Sequence, residues 1–445
     1  LGCVMRPPKP AVPGKMRSSR AVVSVIVSLL IPIISGCNSA PMTITAVRGE
    51  SWPSIELFQI SCPAVGGCVA VGNDRAGANI VVEQRGRHWG SPVAFGPKPA
   101  DNQIQAVSCS QPGACIASSS TEPLLLISQS SGRWGNAHRV SIPGSAFASA
   151  SASECSPNGP CWSIVQADGS YALGENEGHW LHPFRLGERM LNGDRQVLPI
   201  VVTAISCWTA SSCTVAGEWP SARPVPFVQT ESAGRWRHAT LVPGTGSIGG
   251  FSPNALTCTA RGTCLLGGYA GNPRATTVGA VEQEVSGRWR VPTIGIGATA
   301  TPRRSYVYKV SCHSLNLCVA AGISFPKDAE SIFSQAEVGG HWLEPLLIET
   351  GAKLSHPFYP LIATSCPTVS RCDVVGDITT TDHRQRSFEA SYTASGWRYK
   401  IINLGNSRDQ TEVSGMSCVK GRCWVAVDVF TESGVPIKGA VFPLT

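Results

Sequence analysis

The residues of this chain most able to do chemistry are its cysteines, and they come in pairs. Ile60-Ser61-Cys62 is followed, after five residues, by Cys68-Val69-Ala70-Val71-Gly72. The same pattern returns at Cys109 and Cys115, Cys155 and Cys161, Cys207 and Cys213, and Cys258 and Cys264. Cys312 with Cys318, Cys366 with Cys372, and Cys418 with Cys423 complete eight pairs, the last one residue tighter. Of the 18 cysteines only Cys3 and Cys37 are left over. Two chemistries compete for such pairs. Structural zinc needs a second pair or histidines converging on the same ion, and here each pair belongs to its own repeat. A five-residue turn can bring two Cα atoms to the roughly 5.5 Å a disulfide prefers. Eight disulfides are therefore expected, with no metal and no cofactor. Each closes a short loop and adds about 2 kcal/mol.

The elements that carry the pairs follow from a second recurring mark, an alternating run, a turn with Gly, then Trp. Examples are Val81 to Arg85 before Gly86 and Trp89, and Phe227 to Glu231 before Gly234 and Trp236. Each unit of about 46 to 55 residues reads as four strands. Strand a ends at the first Cys, strand b starts at the second, strand c is the alternating run, and strand d carries the Trp. The last unit stops before its Trp strand, while Gly49-Glu50-Ser51-Trp52 is a Trp strand with no unit before it. An open array would want polar caps, whereas a ring can pair these two ends and protect its strand edges. The expected fold is all-β: an eight-bladed β-propeller of four-stranded antiparallel blades, closed by its N- and C-terminal strands. Seven blades is the alternative if one unit is degenerate.

The turns Ser130-Ser131-Gly132-Arg133-Trp134 and Ser286-Gly287-Arg288-Trp289 resemble the BNR or Asp-box repeat of sialidase-like and photosystem-assembly-factor-like propellers. The resemblance spans nearly all of residues 43–445. It departs in lacking the Asp that names the box and in adding the cysteine pairs. Arrays of this Ser-Cys…Cys-Val-Ala-Val-Gly kind also resemble those of uncharacterised secreted actinobacterial lipoproteins, which implies a surface location and no particular activity. A sialidase would bring three convergent arginines, a Tyr nucleophile with a Glu partner, an acid Asp, and a Phe/Tyr-Arg-Ile-Pro motif early in the domain. That motif is missing, and the nearest match, Phe184-Arg185-Leu186-Gly187, sits in the wrong blade.

Composition narrows the classes further. Charged residues are 15% of the 445, Gly numbers 46 and Pro 33, which suits short strands and turns over helices. The net charge of +7 has no Lys/Arg block, so nucleic-acid binding is not expected. From Met16, the expected true start, Arg17 and Arg20 precede an apolar run Ala21 to Ile34, then Ile34-Ser35-Gly36-Cys37. This reads as a signal peptide over 1–37 with a lipobox whose Cys37 is acylated, a tether over 38–42, and the propeller over 43–445. The alternative is ordinary secretion with Cys37 incidental. Export supplies the oxidising compartment that disulfides need.

In a four-stranded blade the stapled a–b turns and the Gly-x-Trp turns share one face, and the variable b–c and d–a loops share the other. Binding residues are expected on the variable face. Candidates in the b–c loops are Arg75, Trp219 with Arg223, Arg274 near Tyr269, and Asp382 with His383. Candidates in the d–a loops are Arg304 and Tyr306. The tryptophans are expected to pack between blades, with a stacking platform for sugars as the alternative. Before them stand His88, Arg133, His179, Arg235, Arg288 and His341, read either as solvated turn charges or as a basic rim. No nucleophile elbow, P-loop, dinucleotide fingerprint or His-Glu-x-x-His is present. The expected function is a monomeric, membrane-anchored, non-enzymatic scaffold for a protein or cell-envelope glycan. The alternative is a sialidase-like glycan hydrolase or lyase with its site at the propeller axis, which convergent acids and arginines there would favour.

Overall fold

The structure, a computed structural model, describes residues 43–46, 49–95, 103–119, 123–142, 145, 148–191, 194–197, 200–219, 224–243, 250–272, 276–297, 304–325, 330–349, 362–380, 384–403 and 409–444. The signal segment, Cys37 and the 38–42 tether lie outside the described residues. All regular structure among the described residues is β-strand, arranged as an eight-bladed propeller. Blade 1 shows the plan, with strand a at Ile55–Ser61, b at Val69–Asp74, c at Asn79–Arg85, and d in two pieces, His88–Trp89 and Val93–Ala94. Blades 2 to 6 repeat it over 104–139, 149–185, 201–241, 251–296 and 305–349, and blade 7, over 362–403, has an unbroken strand d at Gly396–Asn403.

Blade 8 supplies only strands a to c, ending with Pro436–Pro443. Its strand d is Glu50–Pro53 from the start of the chain, antiparallel, with Trp52 opposite Gly439. The eight strands a lie side by side in sequence order, and the strand a of blade 8 touches that of blade 1. The ring is therefore closed by its own termini. One further strand was not anticipated: Thr43–Ala46 pairs in parallel with strand d of blade 7, Thr43 opposite Lys400. A second addition is a small hairpin between blades 3 and 4, Glu188–Leu191 with Asp194–Val197.

The apolar core is divided among the blade boundaries, because each blade is covered on both faces by its neighbours. That is why strand b is buried along nearly its whole length and mostly apolar, as in Leu317–Ser324, where all eight residues are buried. The boundary of blades 8 and 1 has its own cluster of Leu57, Ile60, Ala426 and Val441, built like the others. The motif serine before the first cysteine ties adjacent strands a together. The Cys109 amide donates to Ser61 Oγ at 3.1 Å, Cys155 to Ser108 at 2.9 Å, and Cys258 to Ser206 at 3.0 Å.

Strand a bulges at Leu57–Gln59, Val202–Ala204, Pro253–Ala255 and Val307–Lys309, and opposite each bulge stands the glycine that ends the Val-Gly motif or its equivalent. The bulged carbonyl occupies the space of a side chain. A Cβ on Gly72 would lie 1.9 Å from the Glu56 oxygen, and one on Gly322 1.8 Å from the Tyr306 oxygen.

All eight expected disulfides are present. Their Cα separations run from 3.8 to 4.0 Å, tighter than expected from a turn alone. The reason is register: pairs such as Cys109 and Cys115 or Cys312 and Cys318 face each other directly across strands a and b. The stapled turns and the Gly-x-Trp turns do share a face, since the Gly86 amide donates to the Gly66 carbonyl at 2.9 Å and Gly287 to Gly262 at 3.0 Å.

Candidate binding face

On the opposite face the sequence candidates separate sharply. Arg75 is exposed, but its amide donates to the Ser54 carbonyl at 3.1 Å and its guanidinium reaches the Pro436 carbonyl at 3.4 Å, so it ties blade 1 to blade 8. Trp219 is not presented to solvent. Strand b of blade 4 runs on through it, Ser212–Trp219, and alternation turns its ring inward against Phe227, centroids 4.5 Å apart. Arg223, Arg274, Asp382 and His383 lie outside the described residues. Beside the last two, Arg384 pairs with Glu432 of blade 8 at 3.4 Å and Arg386 donates to the Asp409 carbonyl, so these charges join neighbouring connections.

Arg304 and Tyr306, expected in a d–a loop, are brought together with Tyr269 from the b–c side of the neighbouring blade. Tyr306 and Tyr308 both belong to strand a of blade 6, Ser305–Ser314, and their rings stack with centroids 6.3 Å apart. Tyr269, near the end of strand b in blade 5, meets Tyr306 edge-on at 5.1 Å, and Phe325 meets it at 6.4 Å. Thr277, itself buried, donates its hydroxyl to the Tyr306 oxygen at 2.9 Å, fixing the ring. Arg304 is exposed next to the group, its carbonyl accepting the Phe325 amide at 2.9 Å. Three of the chain's seven tyrosines thus form one half-buried aromatic cluster at the boundary of blades 5 and 6.

The cluster leads inward along strand a toward the axis, where the side chains are otherwise small. Three residues before the first cysteine, five blades carry Ala and one carries Gly415; only Gln59 and Lys309 are larger. One residue before it, the chain has Ser or Thr in every blade except blade 3, which has Glu154. Lys309 keeps solvent contact yet is walled in by surrounding strands, and that enclosure lowers its ammonium pKa. Burial raises Glu154 to about 7, opposed by the Cys207 amide, which donates to it at 3.0 Å where other blades use the motif serine. Acids do gather where blades 7, 8 and 1 meet: Glu56 adds to the burial that raises Glu412, and Glu412 acts in turn on Asp377 and Asp428. No arginine charge offsets any of them among the described residues. No group of three or more His, Cys, Asp or Glu among the described residues could hold a metal ion.

Two of these carboxylates are clamps. Asp377 accepts the Val413 amide at 2.8 Å and the Ser387 hydroxyl at 2.9 Å, while Asp428 accepts the Leu57 amide at 2.7 Å and the Ser414 hydroxyl at 2.7 Å. Burial holds both well above the usual carboxylate range. They bind blade 7 to 8 and blade 8 to 1, a role that sequence alone did not suggest. On the stapled face the residues before each Trp, His88 and Arg133 among them, are exposed, and the tryptophans sit between blades, Trp162 edge-on to Trp236 at 5.3 Å.

No family model matches the chain, and no curated protein matches it. Solved structures similar in fold include YCF48 bound to D1 peptide, 12% identical over 76% of this chain and 96% of that one, with a TM-score of 0.44. BamB from Moraxella catarrhalis is 14% identical over 90% of this chain and all of its own, TM-score 0.47. A polysaccharide lyase, the PL25 ulvan lyase bound to a sugar, is 9% identical over 74% and 92%, TM-score 0.46.

Proposed function

We infer that this chain is a non-enzymatic binding or assembly scaffold, exported and held at the outer face of a bacterial membrane through Cys37. Its irregular face is the docking surface for a protein, with a cell-envelope glycan as the second ligand class. The observation that carries this reading is the cluster of Tyr269, Tyr306, Tyr308 and Phe325 beside exposed Arg304. Tyrosine and arginine on a rigid frame are the side chains that dominate protein interfaces, since they offer large contact area with few rotors to freeze. An axis of Ala, Ser and Gly offers little to catalysis. A glycan hydrolase or lyase would have to draw on Glu154, whose carboxylate already replaces the motif serine as acceptor for Cys207, or on Glu56 and Glu412, which have no arginine acting beside them among the described residues.

The test is capture by the immobilised 43–445 domain from envelope extract, run beside a glycan array, with Tyr306→Ala and Arg304→Ala as comparisons. A ligand retained by the wild type and lost in both variants is expected. Retention indifferent to both, or turnover of an array glycan, would overturn the reading.

A further inference from the structure

Clefts open on the stapled face at the boundaries of blades 1 and 2 and of blades 4 and 5, and their linings differ. Between blades 1 and 2, Glu83 reaches across to accept from Gln129 Nε2 at 2.7 Å and Trp134 Nε1 at 3.2 Å, with Arg85 on its other oxygen at 3.3 Å. In blade 3, Trp162 takes up the space against Trp236. Glu83 stands just before the strand-c residue that pairs with the blade Trp; in blade 4 that position is Thr230. Trp162 directly follows the second cysteine; in blade 4 that position is Thr214. In blade 4 both positions are threonines, flanked by Ser212 and Ser232, and they line a cleft of about 430 Å³ between blades 4 and 5. The cleft of about 520 Å³ between blades 1 and 2 is lined instead by Glu83, Trp89 and Trp134, so it presents a carboxylate where this one presents hydroxyls.

Its walls have the chemistry of a ligand site. The Thr214 and Thr230 hydroxyls lie 3.1 Å apart in its floor. Arg237 of blade 4 and Arg261 of the stapled turn of blade 5 stand exposed at the rim, and neither guanidinium has a side-chain partner among the described residues. Half-buried Trp208 offers an apolar ring face, and Glu284 stands in the far wall.

We propose that this cleft binds a uronic-acid residue of an acidic glycan. The volume suits one or two sugar rings. The hydroxyls match sugar hydroxyls, and the indole face matches sugar C–H groups. A guanidinium fork matches a carboxylate. Arg237, Arg261 and His238 against Glu284 give the cleft a positive lining, which suits an anionic sugar, and the indole face, which inorganic phosphate cannot use, favours the sugar over phosphate. This site is on the face opposite the tyrosine cluster and does not depend on it.

The experiment is calorimetric titration of the 43–445 domain with a glucuronate-terminated disaccharide, its neutral glucose-terminated counterpart, and inorganic phosphate. Saturable binding of the glucuronate form is expected, with the neutral form roughly tenfold weaker, the loss of a charge-assisted contact. Arg261→Ala should weaken it similarly. Thr230→Glu, which gives blade 4 the carboxylate of Glu83, should abolish it. Tyr306→Ala, on the other face, should leave it intact, and each variant is titrated well below its own melting temperature so that binding is read on folded protein. Absence of saturation, equal binding of the neutral sugar, phosphate binding as tightly, or binding that survives both cleft variants would each overturn the proposal.

Discussion

The backbone amide of Cys62 donates to the hydroxyl of Ser417 at 2.9 Å, joining residues 355 apart in sequence. It is the same bond that ties Cys109 to Ser61 one blade later, so the last boundary of the ring is made like the ones within the chain. Ser417→Ala removes an acceptor from a half-buried amide and is expected to cost about 1 kcal/mol in chemical denaturation. Ser61→Ala should cost the same, and no loss in either variant would show that the serines do not bind the strands.

The strand-a bulges make a steric prediction. In Gly322→Ala the new methyl would sit 1.8 Å from the Tyr306 carbonyl oxygen, a backbone atom that can move only with the bulge. A loss of several kcal/mol or failure to fold is expected. Gly86→Ala, on the surface with nothing within 4 Å, tests the ordinary cost of its positive φ of 65° instead. Thermal unfolding should rank Gly322→Ala well below Gly86→Ala.

Glu282 gives the molecule a pH dependence. In blades 4 and 6 the equivalent residues are Gln229 and Gln335, which accept from the Gly187 and Gly297 amides of the preceding blade at 2.9 and 2.8 Å. Before blade 5 the matching position is Pro243, which has no N–H to give. Glu282 is fully buried, and burial pushes its carboxyl up to about 8. A folded pKa above the unfolded one means stability present at low pH is lost as pH rises from about 4.5 through about 8. Each pKa unit is worth ~1.4 kcal/mol, so Glu282→Gln should resemble the wild type in acid and exceed it by a few kcal/mol above that window. Parallel stability curves across pH would count against this.

The disulfides predict that the native 43–445 domain takes up no alkylating agent, since all sixteen of its cysteines are paired. Mass spectrometry before and after reduction checks this. Free thiols in the native protein would contradict it. Reduction should lower the melting temperature, each short loop contributing about 2 kcal/mol.

The blades were legible in the sequence because Cys, Cys and Trp recur at fixed offsets, and Trp52 without a unit of its own disclosed the closure. What stayed hidden depends on through-space neighbours. Ser61 looked like part of a cysteine motif, and only the adjacent blade shows that it accepts the Cys109 amide. Gly72 looked like a strand end, and its reason is a bulge on the paired strand. Trp219 was placed in a loop because strand b has no fixed end mark after the Val-Gly position. Tyr306 was a loop candidate among several. Its distinction is Tyr269, which comes from another blade, and no spacing rule links residues across a blade boundary.

The division into a framework face and a binding face rests on the ring being closed by Glu50–Pro53 against Pro436–Pro443. Ser51 and Ala440 are direct cross-strand partners, so replacing both by cysteine in Ser51→Cys, Ala440→Cys tests it. Peptide mapping without reduction is expected to find positions 51 and 440 linked to each other, with the eight native pairs intact and the melting temperature raised. Two unlinked thiols at those positions, in a protein that otherwise folds, would contradict the closed eight-bladed ring.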